Sequence, residues 1–305
     1  MDSMKAMFLG SKAFGIRTLD CLRTAAPAVS WTVVHPVDRA DSRSVFDDFR
    51  SYGVIHDLHI SLVPSSLAAK ELIADISPDI VFVCGWYWRL DQATLQDIPH
   101  GVFGIHNSLL PRYRGGAPLV WSIINGDPEV GASVFRFTPG LDDGDLVAQV
   151  RVANEEGDTI NTIANKIEQA LLPILPGIWL RILDGSIVLT KQHESDATYC
   201  GQRTPDDGRI DWNWPAQRVH NFIRAQTLPY PGAFSTIDDQ KVVVLLSEPD
   251  PRIFYGTPGQ VLFRGDGKLL VSCGEATAIT IVEMLIDGLP QVPASVIRSV
   301  SARFR

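Results

Sequence analysis

The chain has few cysteines, and their spacing argues against a metal cluster or a disulfide framework. Cys21, Cys84, Cys200 and Cys273 are the four cysteines in 305 residues, and they lie far apart in the sequence. Zinc clusters and disulfide-bonded domains are recognised by closely spaced cysteines at characteristic intervals. We therefore expect reduced thiols and no bound metal.

Long apolar runs are missing as well. No segment approaches the roughly 20 apolar residues of a membrane-spanning helix, and residues 1–9 lack the apolar stretch of a signal peptide. The expectation is a cytoplasmic protein without a membrane partner.

An excess of positive charge is also absent. The net charge is -8, and residues 209–305 balance 10 Lys and Arg against 9 Asp and Glu. Proteins that bind polyanions usually cluster unopposed basic residues on one face. These counts show no such face.

Short apolar runs alternate with helical spacing in the first part of the chain. Strands are predicted at residues 4–9, 30–34, 59–63 and 79–84, and a helix at 65–76. A further helix is predicted over residues 159–183, interrupted by Pro173 and Pro176. This alternation is typical of an α/β domain with a mainly parallel sheet.

The pattern changes after residue 209. Short strands separated by turn residues suggest a small β-barrel as a second domain. We expect a catalytic α/β domain at 1–190, a linker at 191–208 and the barrel domain at 209–305. The predicted barrel strands are 241–246, 259–263, 268–272 and 278–282.

One segment carries the candidate chemistry. Residues 104–118 read Gly-Ile-His-Asn-Ser-Leu-Leu-Pro-Arg-Tyr-Arg-Gly-Gly-Ala-Pro, and Gly-Leu-Asp-Asp-Gly-Asp follows at 140–145. His106 ends a strand-like run, and Asp142 lies in a glycine-flanked loop. Taken alone, such a histidine is more often structural, and a loop aspartate often serves a turn, which better suits Asp143.

With its surroundings, this segment resembles the folate-dependent formyltransferase family in its two-domain form. That family includes methionyl-tRNA formyltransferase and sugar N-formyltransferases. The resemblance extends over nearly the whole chain, through residues 8–11, 77–81 and 207–234. It implies a Rossmann-like N-terminal domain followed by an OB-like β-barrel domain.

The resemblance also implies a reaction. A formyl group would pass from N10-formyltetrahydrofolate to an amine through a tetrahedral intermediate, with no metal. His106 would stabilise the oxyanion or assist proton transfer, since imidazole ordinarily titrates near neutrality. Asp142 would orient or charge-pair His106 and relay a proton through water.

Gly104 departs from the family pattern, which has an asparagine two residues before the histidine to hold the formyl oxygen. Losing one oxyanion donor costs about 10²–10³ in rate if nothing replaces it. Asn107 points to the opposite face if the strand continues, whereas Ser108, a backbone N–H or a water could serve. The chain is then an active enzyme with a rearranged oxyanion site, or a folate- or nucleotide-binding homologue with weak or no transfer.

A further set of residues is implied to contact the folate. Residues 86–90 would line the pterin pocket through backbone groups, although the aromatic side chains could instead serve packing. The glycines before the helix that starts near Pro118 would permit close approach to folate or acceptor. The folate set is Trp86, Tyr87, Trp88, Arg89, Leu90, Leu109, Pro111, Gly115 and Asp143.

The acceptor is expected to be a small primary amine, with a nucleotide-linked amino sugar favoured. Methionyl-tRNA is the alternative, but the stretch 35–44, where the tRNA enzyme carries a basic insertion, balances two arginines against two aspartates. The sequence leaves open whether the protein forms a homodimer. Candidate acceptor contacts are Arg114, Gly116, Tyr199, Arg203 and Thr204, the last three with domain linking as an equal alternative.

Overall fold

The computed structural model describes residues 3–39, 41 and 43–305, so Met1, Asp2, Ala40 and Ser42 lie outside the described residues. Two of these, Ala40 and Ser42, belong to the stretch weighed above for tRNA binding. The described chain divides into two compact units. The first comprises residues 1–118, 131–152 and 165–200, and the second comprises 119–130, 153–164 and 201–305.

Nine strands precede residue 201 among the described residues. They are β1 (Lys5–Gly10), β2 (Ser30–Pro36), β3 (Ile60–Val63), β4 (Ile80–Cys84), β5 (Val102–His106), β6 (Arg114–Gly115), β7 (Glu129–Arg136), β8 (Leu146–Ala153) and β9 (Tyr199–Cys200). The helices in the same stretch are α1 (Lys12–Ala25), α2 (Phe46–Ile55), α3 (Ser66–Ile76), α4 (Gln92–Gln96), α5 (Pro118–Ile124), α6 (Ile160–Leu171) and α7 (Leu175–Leu183).

Seven strands form one sheet in the order β3-β2-β1-β4-β5-β7-β8. The first five run parallel, and β7 pairs antiparallel with β5. Strand β4 is buried along its whole length, as expected for a parallel strand with both faces covered. This is the Rossmann-like arrangement that the sequence predicted.

The two prolines act as expected. Helix α6 ends at Leu171, and α7 begins at Leu175 with Pro176 in its first turn, where a missing N–H costs nothing. The predicted long helix is therefore two helices.

The second unit contains an antiparallel sheet in the order β10-β11-β14-β13-β12, with β15 added beside β14. Its elements are α8 (Ala216–Arg224), β10 (Ala233–Ile237), β11 (Gln240–Asp250), β12 (Val261–Gly265), β13 (Lys268–Ser272), β14 (Ala278–Ile286), β15 (Leu289–Gln291) and α9 (Pro293–Val296). Strands β11 and β14 are longer than predicted.

The chain's last residues bridge the two outer strands of this sheet. Arg305 and Thr236 exchange two backbone hydrogen bonds of 2.8 and 2.9 Å, beside β10, and the Phe304 N–H donates to Gly259 O near β12. The Phe304 side chain is buried, and its ring centre lies 5.3 Å from that of Trp212. These terminal residues thereby connect the outer strands of the sheet. The strand pattern predicted a barrel but not the part that these residues play in it.

Among the described residues, no helix has the length and apolar character needed to cross a membrane. In the same part of the chain, no group of three or more His, Cys, Asp and Glu residues is arranged to hold a metal ion.

Candidate active site

His106 lies at the carboxyl end of β5, the edge where parallel sheets usually carry their sites. Strand β4 fixes β5 on one side, where Val83 pairs with Gly104, and β7 fixes it on the other, where Ser133 pairs with His106. Gly104 and His106 share one face of the strand because side chains alternate. The His106 ring is mostly buried, with 11% of its side chain exposed.

The two nitrogens of His106 have different partners. Nε2 lies 2.8 Å from the carbonyl oxygen of Tyr113, and because a carbonyl only accepts, Nε2 carries a proton. Nδ1 lies 3.6 Å from Oδ2 of Asp142, which is too long for a hydrogen bond but within ion-pair distance. Nδ1 is therefore the nitrogen that faces the carboxylate.

Asp142 is held in a left-handed backbone conformation, with φ of +50°. Its Oδ2 accepts a 2.8 Å hydrogen bond from the backbone N–H of Gly115. Gly144, two residues later, lies so close to Arg136 O that no Cβ fits. The loop is thus shaped to bring one carboxylate oxygen toward His106.

Aromatic rings line the same face. Phe135 and Phe137 stack at 4.8 Å, and Trp86 packs edge-to-face on Trp88 at 5.2 Å. The indole Nε1 of Trp86 is buried and finds no acceptor among the described residues. The sequence indicated the tryptophans but missed the two phenylalanines, whose alternation just before the Asp142 loop was the available signal.

Gly104 has a packing reason to be glycine. A Cβ there would lie 2.7 Å from the carbonyl oxygen of Val83 and 2.7 Å from the ring of Phe137. Atoms already fill the space that a side chain would need, so Gly104 contributes no donor.

Tyr87 points into a polar cluster. Its hydroxyl donates to Asp38 at 2.9 Å and Asp41 at 3.0 Å, and Lys12 Nζ lies 2.9 Å from each carboxylate. Burial and the two carboxylates raise the pKa of Tyr87. Burial opposes ionisation of Asp41, but hydrogen bonds from Arg43 and Lys12 outweigh it and lower its pKa. The cluster anchors the loop after β4.

The remaining residues of that loop are tied down differently. Arg89 donates to Pro139 O at 2.8 Å and so reaches the loop that carries Asp142. Leu90 is half-buried and packs with the tryptophans on the core cluster formed by α3 and strands β1 to β5.

Ser108 and Asn107 differ in exposure. Ser108 is buried, its hydroxyl donates to Arg112 O at 2.6 Å, and its carbonyl accepts from Ser133 at 2.7 Å. The hydroxyl is thus engaged in shaping the turn. Asn107 is exposed.

Three further predicted folate residues lie in or near these loops. Leu109 is buried, and Pro111 follows a cis peptide bond and accepts from the Thr198 N–H at 3.2 Å. Asp143 accepts a hydrogen bond from Thr138. Their contact with folate stays a prediction.

The predicted acceptor residues of the first unit surround β6. Arg114 is 2% exposed and donates to Glu194 at 2.8 Å and Tyr199 at 3.1 Å, so it braces the structure. The Gly116 N–H donates to Cys200 O at 3.0 Å. Tyr199 is 59% exposed and thereby accessible.

Arg203 and Thr204 belong to the second unit. The Arg203 guanidinium lies 4.9 Å from the Trp121 ring centre and 5.4 Å from that of Phe222, and it donates to Asp207 O at 2.7 Å. Thr204 and Asp207 form a capping box. Both residues therefore have structural partners, and their acceptor role stays a prediction.

Two family models match the chain: formyl transferase over residues 58–177, and formyl transferase, C-terminal domain, over residues 202–299. Together they cover most of both the sheet that carries His106 and the antiparallel sheet. This chain belongs to the formyltransferase family.

Three solved structures with the same fold, described next, have 16–18% sequence identity to this chain. HypX from Aquifex aeolicus, in complex with tetrahydrofolic acid, is 18% identical and has a TM-score of 0.66. The match covers 98% of this chain and 48% of HypX. This chain therefore spans about half the length of the HypX chains it matches.

Two other neighbours match over nearly their whole length. An N-formyltransferase from Helicobacter canadensis, in complex with folinic acid and dTDP-3-aminofucose, is 16% identical with a TM-score of 0.69, and the match covers 91% of this chain and 98% of that one. Methionyl-tRNA formyltransferase from Clostridium thermocellum is 16% identical with a TM-score of 0.55, covering 80% of this chain and 93% of its own.

Proposed function

We propose that this formyltransferase moves a formyl group from N10-formyltetrahydrofolate to a small primary amine carried by a nucleotide-linked sugar. The observation that carries the proposal is the His106–Asp142 pair at 3.6 Å, beside an aromatic-lined face. An acid–base pair facing an apolar wall suits acyl transfer between nitrogens.

The aromatic face fits the co-substrate. Trp86, Trp88 and Phe137 are partly exposed and offer flat apolar surfaces to a flat heterocycle, and Phe137 is backed by the buried ring of Phe135. The buried Nε1–H of Trp86 is a donor that a ligand oxygen or nitrogen could satisfy. When bound, formyltetrahydrofolate supplies the formyl carbon that the amine attacks.

The chain's own residues handle the proton. Nε2 of His106 keeps its proton in the hydrogen bond to Tyr113 O, so Nδ1 accepts the proton that the attacking amine releases. Asp142 stabilises the imidazolium that results, because a carboxylate at 3.6 Å favours the positive charge. The bond between the formyl carbon and the folate nitrogen then breaks. Nδ1 returns the proton to that leaving nitrogen, so the proton taken from the amine ends on the folate.

The local charges support a small acceptor over tRNA. In the stretch after β2, Arg43 is paired with Asp41, and Lys12, the first residue of α1, is paired with Asp38 and Asp41. Positive charges that are already paired with carboxylates attract phosphates weakly, whereas tRNA binding needs several Lys or Arg side chains that are not paired in this way. The Helicobacter canadensis neighbour, in complex with dTDP-3-aminofucose, supports the sugar acceptor.

The test is a panel of acceptors incubated with the protein and formyltetrahydrofolate. The panel contains dTDP- and UDP-linked amino sugars, methionyl-tRNA and hydroxyornithine, and mass spectrometry follows the formylated product. We expect product from an amino-sugar nucleotide. Product from methionyl-tRNA alone would replace the proposed acceptor.

A matched pair of histidine variants shows whether the site performs the transfer. His106→Asn should lower the single-turnover rate about 10²–10⁴-fold, as expected for loss of a general acid–base. His59→Asn, at an exposed histidine, should retain the wild-type rate. Tight folate binding with no transfer to any acceptor would overturn the proposal and identify a binding homologue limited by Gly104.

A further inference from the structure

Gln192 lies outside both segments that the family models match, yet it contacts the loop of Asp142. Its side-chain Nε2 donates to Asp142 O at 2.8 Å and to Gly144 O at 2.7 Å. Its Oε1 accepts from Nε and Nη2 of Arg114, at 3.1 and 3.0 Å. The amide has one possible orientation, because the two carbonyls only accept and the guanidinium only donates.

Arg114 is itself held firmly. The side chain is 2% exposed, and it donates to Glu194 and Tyr199 as well as to Gln192. Burial opposes its charge, but the hydrogen bonds to Glu194 and Tyr199 outweigh burial and raise its pKa. Gln192 is therefore fixed at one end by a buried, permanently charged group.

The same stretch of chain also places the partners of the catalytic pair. Strand β9 pairs with β6, so Tyr199 lies beside Arg114 and Cys200 beside Gly115. The N–H of Tyr113 donates to Thr198 Oγ1 at 2.8 Å. Tyr113 O accepts from His106, and the Gly115 N–H donates to Asp142. The positions of these two backbone atoms therefore depend on the contacts that residues 113–115 make with residues 198–200.

We propose that residues 192–200, the positioning segment, hold His106 and Asp142 in register for formyl transfer, and that Gln192 is the positioning residue for Asp142. The proposal rests on the proposed function. A left-handed aspartate needs its surroundings to hold it, because few non-glycine residues adopt that conformation unaided. Gln192 supplies two of those restraints at the backbone of the turn.

The kinetic test removes the amide while keeping its volume. Gln192→Met should lower kcat about 100-fold, as a misplacement near 1 Å does, and leave KM for both substrates close to wild type. In an Asp142→Asn background the same change should add almost nothing, because the residue it positions is already disabled. An equal loss in both backgrounds would overturn the role through Asp142.

Two further variants sharpen this comparison. Gln192→Glu keeps an acceptor for Arg114 but directs a carboxylate oxygen at the two carbonyls, so it should be at least as slow as Gln192→Met. Wild-type kcat in Gln192→Glu would overturn the proposal. Gln96→Met, an exposed glutamine on α4, is the matched control and should keep wild-type kinetics.

Hydrogen exchange tests the segment without any turnover. Amides of residues 140–145 should exchange faster in Gln192→Met than in wild type or in Gln96→Met, because the restraints on the turn are lost. Unchanged exchange would overturn the proposal even if transfer is confirmed. Faster exchange in a protein that transfers no formyl group would sustain the positioning role while the proposed function fails.

Discussion

Gly104 is confined by its neighbours and not by a special backbone angle. Val83 O and the Phe137 ring would each lie 2.7 Å from a Cβ at this position. The family resemblance presented the glycine as a missing donor, whereas the structure shows a site already filled by packing. An asparagine at position 104 can therefore raise activity only if Val83 or Phe137 moves to accommodate its side chain.

We predict that Gly104→Asn lowers stability and does not raise transfer. Overpacking of this kind costs about 1–3 kcal/mol, and Phe137→Leu should recover only part of it because Val83 O is backbone. Thermal unfolding and single-turnover rates measure both effects. Gly157→Asn is the matched control, since nothing lies within 4 Å of a Cβ there. Wild-type stability with faster transfer in Gly104→Asn would contradict the packing argument.

The Cys200 thiol lies 3.5 Å from Tyr113 O, the acceptor of His106, and it is expected to be unreactive. Burial, assisted by the negative charge of Asp142, raises its pKa to about 11. At pH 8 only on the order of a thousandth is thiolate, the reactive form. In a variant lacking the other three cysteines, a thiol reagent should label it slowly, and faster after Asp142→Asn. Labelling at the rate of an exposed thiol would contradict this.

Strand β2 carries a buried polar group without a partner. His35 is fully buried between the rings of Phe46 and Phe49, and neither ring nitrogen has a hydrogen-bond partner among the described residues. Burial lowers its pKa, and the charge of Asp38 only partly offsets that effect. The folded protein therefore keeps this imidazole neutral at pH values where the unfolded chain is protonated.

We predict that His35→Leu stabilises the protein, and more so in acid. An unpartnered buried polar group costs about 1–3 kcal/mol. Because the folded pKa lies below the unfolded value of about 6.5, stability is full above that pH and falls as pH drops through it. Urea unfolding at pH 7.5 and 5.5 should show the larger difference from wild type at 5.5. His100→Leu, at an exposed site, should show no such dependence; equal differences at both pH values would contradict the assignment to His35.

At the scale of the whole molecule, the second unit is built from three separate stretches of chain. Arg224 is 5% exposed and donates to Asn154 Oδ1 at 2.6 Å and Asp158 O at 3.0 Å. His220 lies 3.0 Å from Glu156 O through Nε2. Residues from 153–164 thus satisfy buried groups of α8, although they are far away in sequence.

We predict that a fragment of residues 209–305, the barrel domain expected from sequence, does not unfold cooperatively. It would keep Asn221 as an acceptor for Arg224 but remove Asn154, Glu155 and Asp158, which accept from the buried Nη1 group. Leaving a buried donor unsatisfied costs about 1–3 kcal/mol, and more for a charged group. Circular dichroism melting and amide dispersion by NMR measure this. The control is the full chain carrying Arg224→Met. This substitution removes the buried positive charge and, with it, the requirement for hydrogen-bond acceptors. A sharp transition with dispersed amides in the fragment would contradict the prediction.

Elements with a local pattern were predicted well. The alternation of apolar runs located β1 to β4, and the spacing at 268–272 matches β13. Pairings over long distances were not predicted: β6 with β9, and the terminal residues with the outer strands of the second sheet. Two-residue strands and terminal bridges have no periodicity of their own, because distant partners determine them.

The sequence alone determined the kind of protein: the motif around His106 and the aspartate 36 residues later resemble the formyltransferase family, and the two strand patterns predict an α/β domain followed by a β domain. Tertiary structure alone decided which nitrogen of His106 faces Asp142, why Gly104 has no side chain, and that Gln192 holds the turn. The reason is distance along the chain. Gln192 and Asp142 are 50 residues apart, and Tyr113 and Thr198 are 85 apart, so only folding brings each pair within a hydrogen bond.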